Sequence, residues 1–155
     1  MHSHCLRHRA FALLILIMLM FAAPVSAQGE SQAFGEYTVH YSVFNSTFIK
    51  PDIAEAYGLI RARDRALINV SVTRRNGDSN TLGLPADIRG QASNLLQQQQ
   101  QMDFKEISDG QATYYIAALR HSHEETFNFT LQIQPAPDQA PWPVRFSRTL
   151  YVDGR

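Results

Sequence analysis

Thr126 to Gln134 alternates without interruption, setting Phe127, Phe129, Leu131 and Ile133 against Asn128, Thr130 and Gln132. Only an extended chain gathers such a run onto one apolar face, because successive side chains of a strand point to opposite sides. The same period of two recurs in Glu36 to Phe44, with Tyr37, Val39, Tyr41 and Val43 inward, and in Ala66 to Thr73, with Ala66, Ile68, Val70 and Val72 inward. Asn76-Gly77 then supplies a hairpin signal, since both central residues of a type I′ turn need positive φ, and Thr81 to Leu84 is expected to pair back.

Met102 to Ile107 reads as one further strand, ended by Asp109-Gly110. Ala112 to Arg120 is apolar on both faces, as in a central strand, and Val144 to Asp153 closes the chain with Val144, Phe146, Leu150 and Val152 inward. Arg148 interrupts that last face, and nothing in the sequence accounts for it. Pro51 to Gly58 predicts a short helical turn, with Pro at its first position, acids early and Gly at the exit. Ile88 to Gln101 is ambiguous: its glutamine run suits a helix by propensity. The short spacing to neighbouring strands favours a strand over Ile88 to Leu96, with Gln97 to Gln101 as a solvated connection. Seven or eight short strands, mostly joined by hairpins, predict an all-β fold, a two-sheet antiparallel sandwich of immunoglobulin-like type with one short helical turn. A small closed barrel is the competing architecture.

The opening segment reads as an address. Arg7 and Arg9 precede the wholly apolar run Ala10 to Ala23, and Val25-Ser26-Ala27 has the small-x-small pattern of a signal-peptidase site. The apolar run is shorter than the roughly 20 residues that span a bilayer core. The expected organisation is therefore a signal peptide over 1–27 and a single β-sandwich domain over 28–155, exported and without a stable membrane anchor after cleavage. An uncleaved anchor is the alternative. The only cysteine, Cys5, leaves with the leader. The remaining domain then has no thiol nucleophile, thiolate metal site or disulfide, and its apolar core alone must hold it. Fourteen bases balance 14 acids in the whole chain, and loss of Arg7 and Arg9 leaves a small excess of acids. That balance gives no field for gripping nucleic acid.

Several groups of residues are candidates for chemistry. His121 and His123, two apart on a strand, would face the same way and share a Cu or Zn ion, with His40, Glu124 or Glu125 as a third ligand. The competing reading is a polar turn whose histidines face water. Arg61, Arg63 and Arg65 would stack on one face of an extended segment and fork onto carboxylates or phosphates of a partner, or else guard an edge. Trp142, in Pro141-Trp142-Pro143, is placed either to anchor a partner or to cap the open end of the sandwich. No nucleophile elbow, HExxH, phosphate loop or paired-carboxylate motif occurs, so the expectation is a protein that is not an enzyme and needs no cofactor.

Phe34 to Phe48 (FGEYTVHYSVFNSTF), Arg65 to Val72 (RALINVSV) and Ala112 to Ala117 (ATYYIA) together resemble a family of exported bacterial proteins classed as a domain of unknown function, family 4426. The resemblance covers most of the chain after the leader. It implies a periplasmic protein of Gram-negative bacteria and carries no activity, cofactor or catalytic residue with it. The function expected is that of a non-enzymatic periplasmic β-sandwich, a binding or accessory domain acting through protein–protein interaction with an envelope partner. The alternative is a periplasmic Cu/Zn-handling protein using the His-x-His pair.

Overall fold

The computed structural model describes residues 30–108 and 110–154. The expected leader, residues 1–27, and Asp109 of the second turn pair lie outside them. Ten strands occur among the described residues: β1 (Glu30–Phe34), β2 (Tyr37–Asn45), β3 (Arg65–Asn76), β4 (Ser79–Asn80), β5 (Asp87–Asn94), β6 (Gln99–Met102), β7 (Lys105–Ser108), β8 (Thr113–Arg120), β9 (Glu125–Gln134) and β10 (Trp142–Leu150). A 3-10 turn (Ser46–Phe48) and a helix, α1 (Pro51–Ala56), lie between β2 and β3. One sheet runs β1-β2-β3-β8-β7, with β4 hung on β3, and the other β10-β9-β5-β6. The paired strands are antiparallel throughout. Within this arrangement β2-β3-β8-β7 and β10-β9-β5-β6 follow the ABED and GFCC′ orders of an immunoglobulin-like sandwich.

The alternating runs bury the faces that their periodicity selects. Val39, Ile68, Val70 and Val72 from one sheet, and Phe127, Phe129, Leu131, Ile133 and Val144 from the other, form the centre of a single core. Burial of this apolar surface, at roughly 25 cal/mol per Å² removed from water, is the main force holding a chain without disulfides. Gly90 sits where β5 crosses that core, and a Cβ there would stand 2.5 Å from the Leu131 side chain. A larger residue there would force the ends of the Leu131 and Met102 side chains aside.

Several expectations are corrected. The strand expected over Met102 to Ile107 is two strands in opposite sheets: Met102 pairs with Gly90, whereas Lys105 pairs with Ile116. Met102 and Phe104 both reach the one core from the crossing segment, so inward–outward alternation persists although the chain changes layers. Gln99 to Gln101 have exposed side chains, yet their backbone belongs to β6 rather than to a loose connection. Only Ser79 and Asn80 return along β3, followed by a single bridge between Val72 and Leu84. β8 is central in its sheet, between β3 and β7, as its two apolar faces predict, but only one face is buried: Thr113, Tyr115, Ala117 and Leu119 are covered, and Tyr114 and Ala118 exposed. β10 ends at Leu150, short of Val152.

The unforeseen strand β1 explains Arg148. β10 is an edge of its sheet, and its inward residues meet β1 and β2 across the core. Trp142 stacks on Phe34 at 5.0 Å and leans on Tyr37 at 5.1 Å. Phe146 lies between Tyr41 at 4.5 Å and Phe129 at 4.7 Å. Arg148 then completes the row by an ion pair to Glu30 at 2.5 Å, with its guanidinium over Phe146. This hydrogen-bonded arginine holds the Glu30 carboxyl below the usual glutamate range. Phe146→Ala is expected to cost about 3 kcal/mol, and Arg148→Met less than about 1 kcal/mol because the pair is partly exposed. Urea denaturation midpoints of the two variants check this, and the reverse order would show that the seam is ionic rather than aromatic.

Candidate functional site

The β8–β9 turn, His121 to Glu124, closes one end of the sandwich. By strand register the same end collects the 46–64 connection, the β5–β6 turn and the residues after β10. A cleft of about 700 Å³ opens there, lined by Asp64, Gln100, Arg120, His121, Ser122, His123, Glu125 and Val152.

A buried polar brace shapes the cleft. Asn94, 5% exposed at the end of β5, uses its whole side chain. Its amide donates to Gln98 Oε1 at 2.7 Å and to Glu125 Oε1 at 2.9 Å, and its Oδ1 accepts from the backbone N–H of Leu96 and Gln98. Glu125 in turn accepts from the Ser122 N–H at 2.7 Å, which fixes the histidine turn. Gln97 and Glu124, one in each turn, take positive φ. For residues other than glycine that conformation is uncommon, and the side-chain bonds around it compensate. Burial is the largest influence on the Glu125 carboxyl and pushes its pKa up, but the Ser122 and Asn94 hydrogen bonds with the neighbouring His121 outweigh it and hold the pKa below the ordinary value.

The two histidines differ. His121 is buried, and its Nδ1 lies 2.8 Å from the Ser122 carbonyl, so Nδ1 carries the proton and the Nε2 lone pair is free. His123 is exposed, packs edge-on against Tyr151, and accepts the Val152 N–H on Nδ1 at 3.3 Å, which in the neutral ring leaves the proton on Nε2. His40 does not line this cleft; it lies on β2, where Nε2 contacts Thr73 Oγ1 at 3.0 Å. Among the described residues, no three His, Cys, Asp or Glu side chains gather as a metal-holding group. Asp64 is bound to Arg120 at 2.8 Å, and this guanidinium holds its carboxyl below the usual range.

The arginines are distributed over separate contacts. Arg61 donates to the Thr47 carbonyl, and Arg63 to the carbonyls of Asp153 and Gly154, fastening the chain end. Arg65 is half-buried at the start of β3, opposite Arg120. Trp142 is half-buried in the aromatic seam and stands at the other end of the sandwich from the histidine turn, by the register of β10.

Sequence reasoning missed the surface around the cleft. Of nine exposed large apolar side chains among the described residues, seven lie at this end. They are Phe48, Ile53, Tyr57 and Ile60 from the connection, Leu95 and Leu96 from the β5–β6 turn, and Tyr151. Leu95 is 69% exposed and Leu96 79%, although the turn carrying them is pinned by Asn94. The Leu95-Leu96 pair ahead of a glutamine run was the available signal; reading it as the end of a strand concealed it.

Asn94→Ala is expected to cost about 2–4 kcal/mol, because it strands the Glu125 carboxylate and two backbone donors together. A carboxyl lowered in the folded state contributes stability above its unfolded-state pKa and loses it as pH falls through the folded value. The stability advantage of wild type over Glu125→Gln should therefore be full at neutral pH and be lost progressively as pH falls below the ordinary glutamate range. Thermal unfolding across that range measures both effects.

The sequence matches the family described as "Domain of unknown function (DUF4426)" over residues 31–153. The crystal structure of a DUF4426 family protein from Pseudomonas aeruginosa PAO1 is similar at 30% identity and a TM-score of 0.70, covering 81% of this chain and 97% of that one. FetP of uropathogenic Escherichia coli strain F11, as isolated after recombinant expression in the periplasm, is 13% identical with a TM-score of 0.55, over 80% of this chain and 94% of its own. A copper-bound variant of FetP is 15% identical with a TM-score of 0.52, over 83% and 97%. At such identities the likeness to FetP shows the fold alone. No curated protein matches the chain. With a family match over nearly all the described residues and a solved relative of the same architecture, the chain belongs to the DUF4426 family.

Proposed function

We propose that the protein is a non-catalytic binding module of the bacterial periplasm, and that it docks another envelope protein through the histidine end of the sandwich. The observation that carries this reading is the gathering of seven exposed apolar side chains there, two of them, Leu95 and Leu96, on the turn that Asn94 braces. Monomeric proteins rarely expose large apolar patches without a use, and preorganised apolar anchors beside polar groups are what protein interfaces select. The two carboxylates lining the cleft are engaged, Asp64 with Arg120 and Glu125 with Asn94 and the Ser122 N–H, so they serve geometry rather than proton transfer. The basic start, apolar run and Val25-Ser26-Ala27 motif support export. Among the described residues, no helix is long and apolar enough to cross a membrane.

A photo-crosslinking residue at Leu96 is expected to give a discrete adduct in the cell envelope, while one at Asn128, on the outer face of β9, gives none. Leu95→Asp should abolish the Leu96 adduct with stability unchanged within about 0.5 kcal/mol, since the side chain is exposed. Equal labelling from both positions would overturn the reading.

One observation favours a second reading, Cu or Zn handling at the same cleft: the Ser122 carbonyl leaves His121 Nε2 free to ligate. The copper-bound state of the FetP variant supports it by fold analogy. A metal at His123 Nε2 would displace a proton, or its Nδ1 would give up the Val152 N–H. Calorimetric titration with Cu(II) and Zn(II) decides. Metal handling requires tight binding that the His121→Ala, His123→Ala double variant loses; equal affinities in both proteins exclude it.

A further inference from the structure

At the opposite end of the sandwich a second cleft, of about 490 Å³, opens between the sheets. Asp87 on β5 and Gln134 on β9 line it from one sheet, and Glu106 on β7 and Tyr115 on β8 from the other. Its size falls within the range of small-molecule sites. Pro85, Pro135 and Pro137 form stiff apolar walls, whose backbone φ is set before any ligand arrives. Gln134 fixes the wall further by donating to the carbonyls of Pro137 at 3.2 Å and Gln139 at 2.9 Å.

Both acids line the cleft, and one of them, Glu106, contacts the Tyr115 hydroxyl. Tyr115 is buried, and its Oη accepts the Ala86 N–H at 2.7 Å and donates toward Glu106 Oε2 at 3.4 Å. Burial first, with the Glu106 and Asp87 charges, pushes this phenol's pKa up against the opposing Ala86 hydrogen bond. Asp87 already pairs with Arg89 at 2.9 Å, but both side chains are largely exposed. An exposed pair of that kind is worth about 0–1 kcal/mol and exchanges readily for a better-placed cation. Among the described residues, the Glu106 side chain makes only the long contact to Tyr115 at 3.4 Å.

We propose that this cleft binds a cation carried on an apolar stem, the ammonium or guanidinium end of a lysine- or arginine-like chain, with the stem along the prolines and the charge between Asp87 and Glu106. Long cationic side chains lay their methylenes on apolar surface and hold their heads in polar surroundings, which is the division this cleft presents. The site lies at the opposite end from the histidine surface and does not depend on what that surface docks.

Nuclear magnetic resonance titration of the purified protein tests it, using Nα-acetyl-lysine methylamide, its uncharged norleucine counterpart, a lysine-containing tetrapeptide and cadaverine. Saturable shifts of the Ala86, Asp87, Glu106 and Gln134 amides are expected with the lysine derivative and not with the norleucine one. The Asp87→Asn, Glu106→Gln variant, which changes only exposed side chains, should bind about tenfold more weakly or worse. Tighter binding of the tetrapeptide than of cadaverine would identify a polypeptide side chain as the occupant, and the reverse order a free diamine; either supports the site. Equal shifts with norleucine, shifts that persist in the variant, or no saturation with any cation would overturn it, and the norleucine comparison on the unaltered protein holds whether or not the variant folds.

Discussion

The structure depends on the seating of β10 against β1 and β2. Two antiparallel sheets without a disulfide can slide or splay at their edges, and this edge is closed by side chains alone. Phe146 does most of this, since it contacts Tyr41 of one sheet and Phe129 of its own at stacking distance. Trp142 on Phe34 and Arg148 on Glu30 extend the contact in both directions along the strand. Offset aromatic pairs contribute about 0.5–1.5 kcal/mol each beyond their burial, so the aromatic pairs outweigh the partly exposed ion pair. The arginine satisfies Glu30 and covers a ring, and in this way serves the apolar seam it interrupts.

At the histidine end the balance is different. Asn94 is buried and Glu125 half-buried beside it, and polar groups withdrawn from water are tolerated only when their hydrogen-bonding capacity is used. Here it is used to hold two turns with positive-φ residues, one of which, the β5–β6 turn, presents Leu95 and Leu96 outward. Apolar side chains that could have been buried are kept in water by a rigid polar scaffold beneath them. A surface built in this way loses little conformational entropy on binding, which favours recognition.

How far the site was legible in the sequence follows from what each residue depends on. His121 and His123 could be singled out by spacing alone, but their different tautomers depend on the Ser122 carbonyl and the Val152 N–H, the second of which comes from the far end of the chain. Arg61, Arg63 and Arg65 have ladder spacing; the first two precede β3, and their guanidinium groups bond backbone carbonyls of Thr47, Asp153 and Gly154. The Asp87–Glu106 cleft has no sequence signature, because its two acids stand on different sheets.

Periodicity determined the fold class: inward positions two residues apart, broken by Asn76-Gly77 and Asp109-Gly110, specify short antiparallel strands with one buried face, and Pro51 specifies where a helical turn begins. Those are local properties, set by backbone sterics and by which face is apolar. The change of sheet at Asp103-Phe104, the pairing of β1, the role of Arg148 and both clefts were decided only by the tertiary structure. Each of them is a relation between segments far apart in the chain, and a strand's alternation states that it has a buried face without stating what lies across from it.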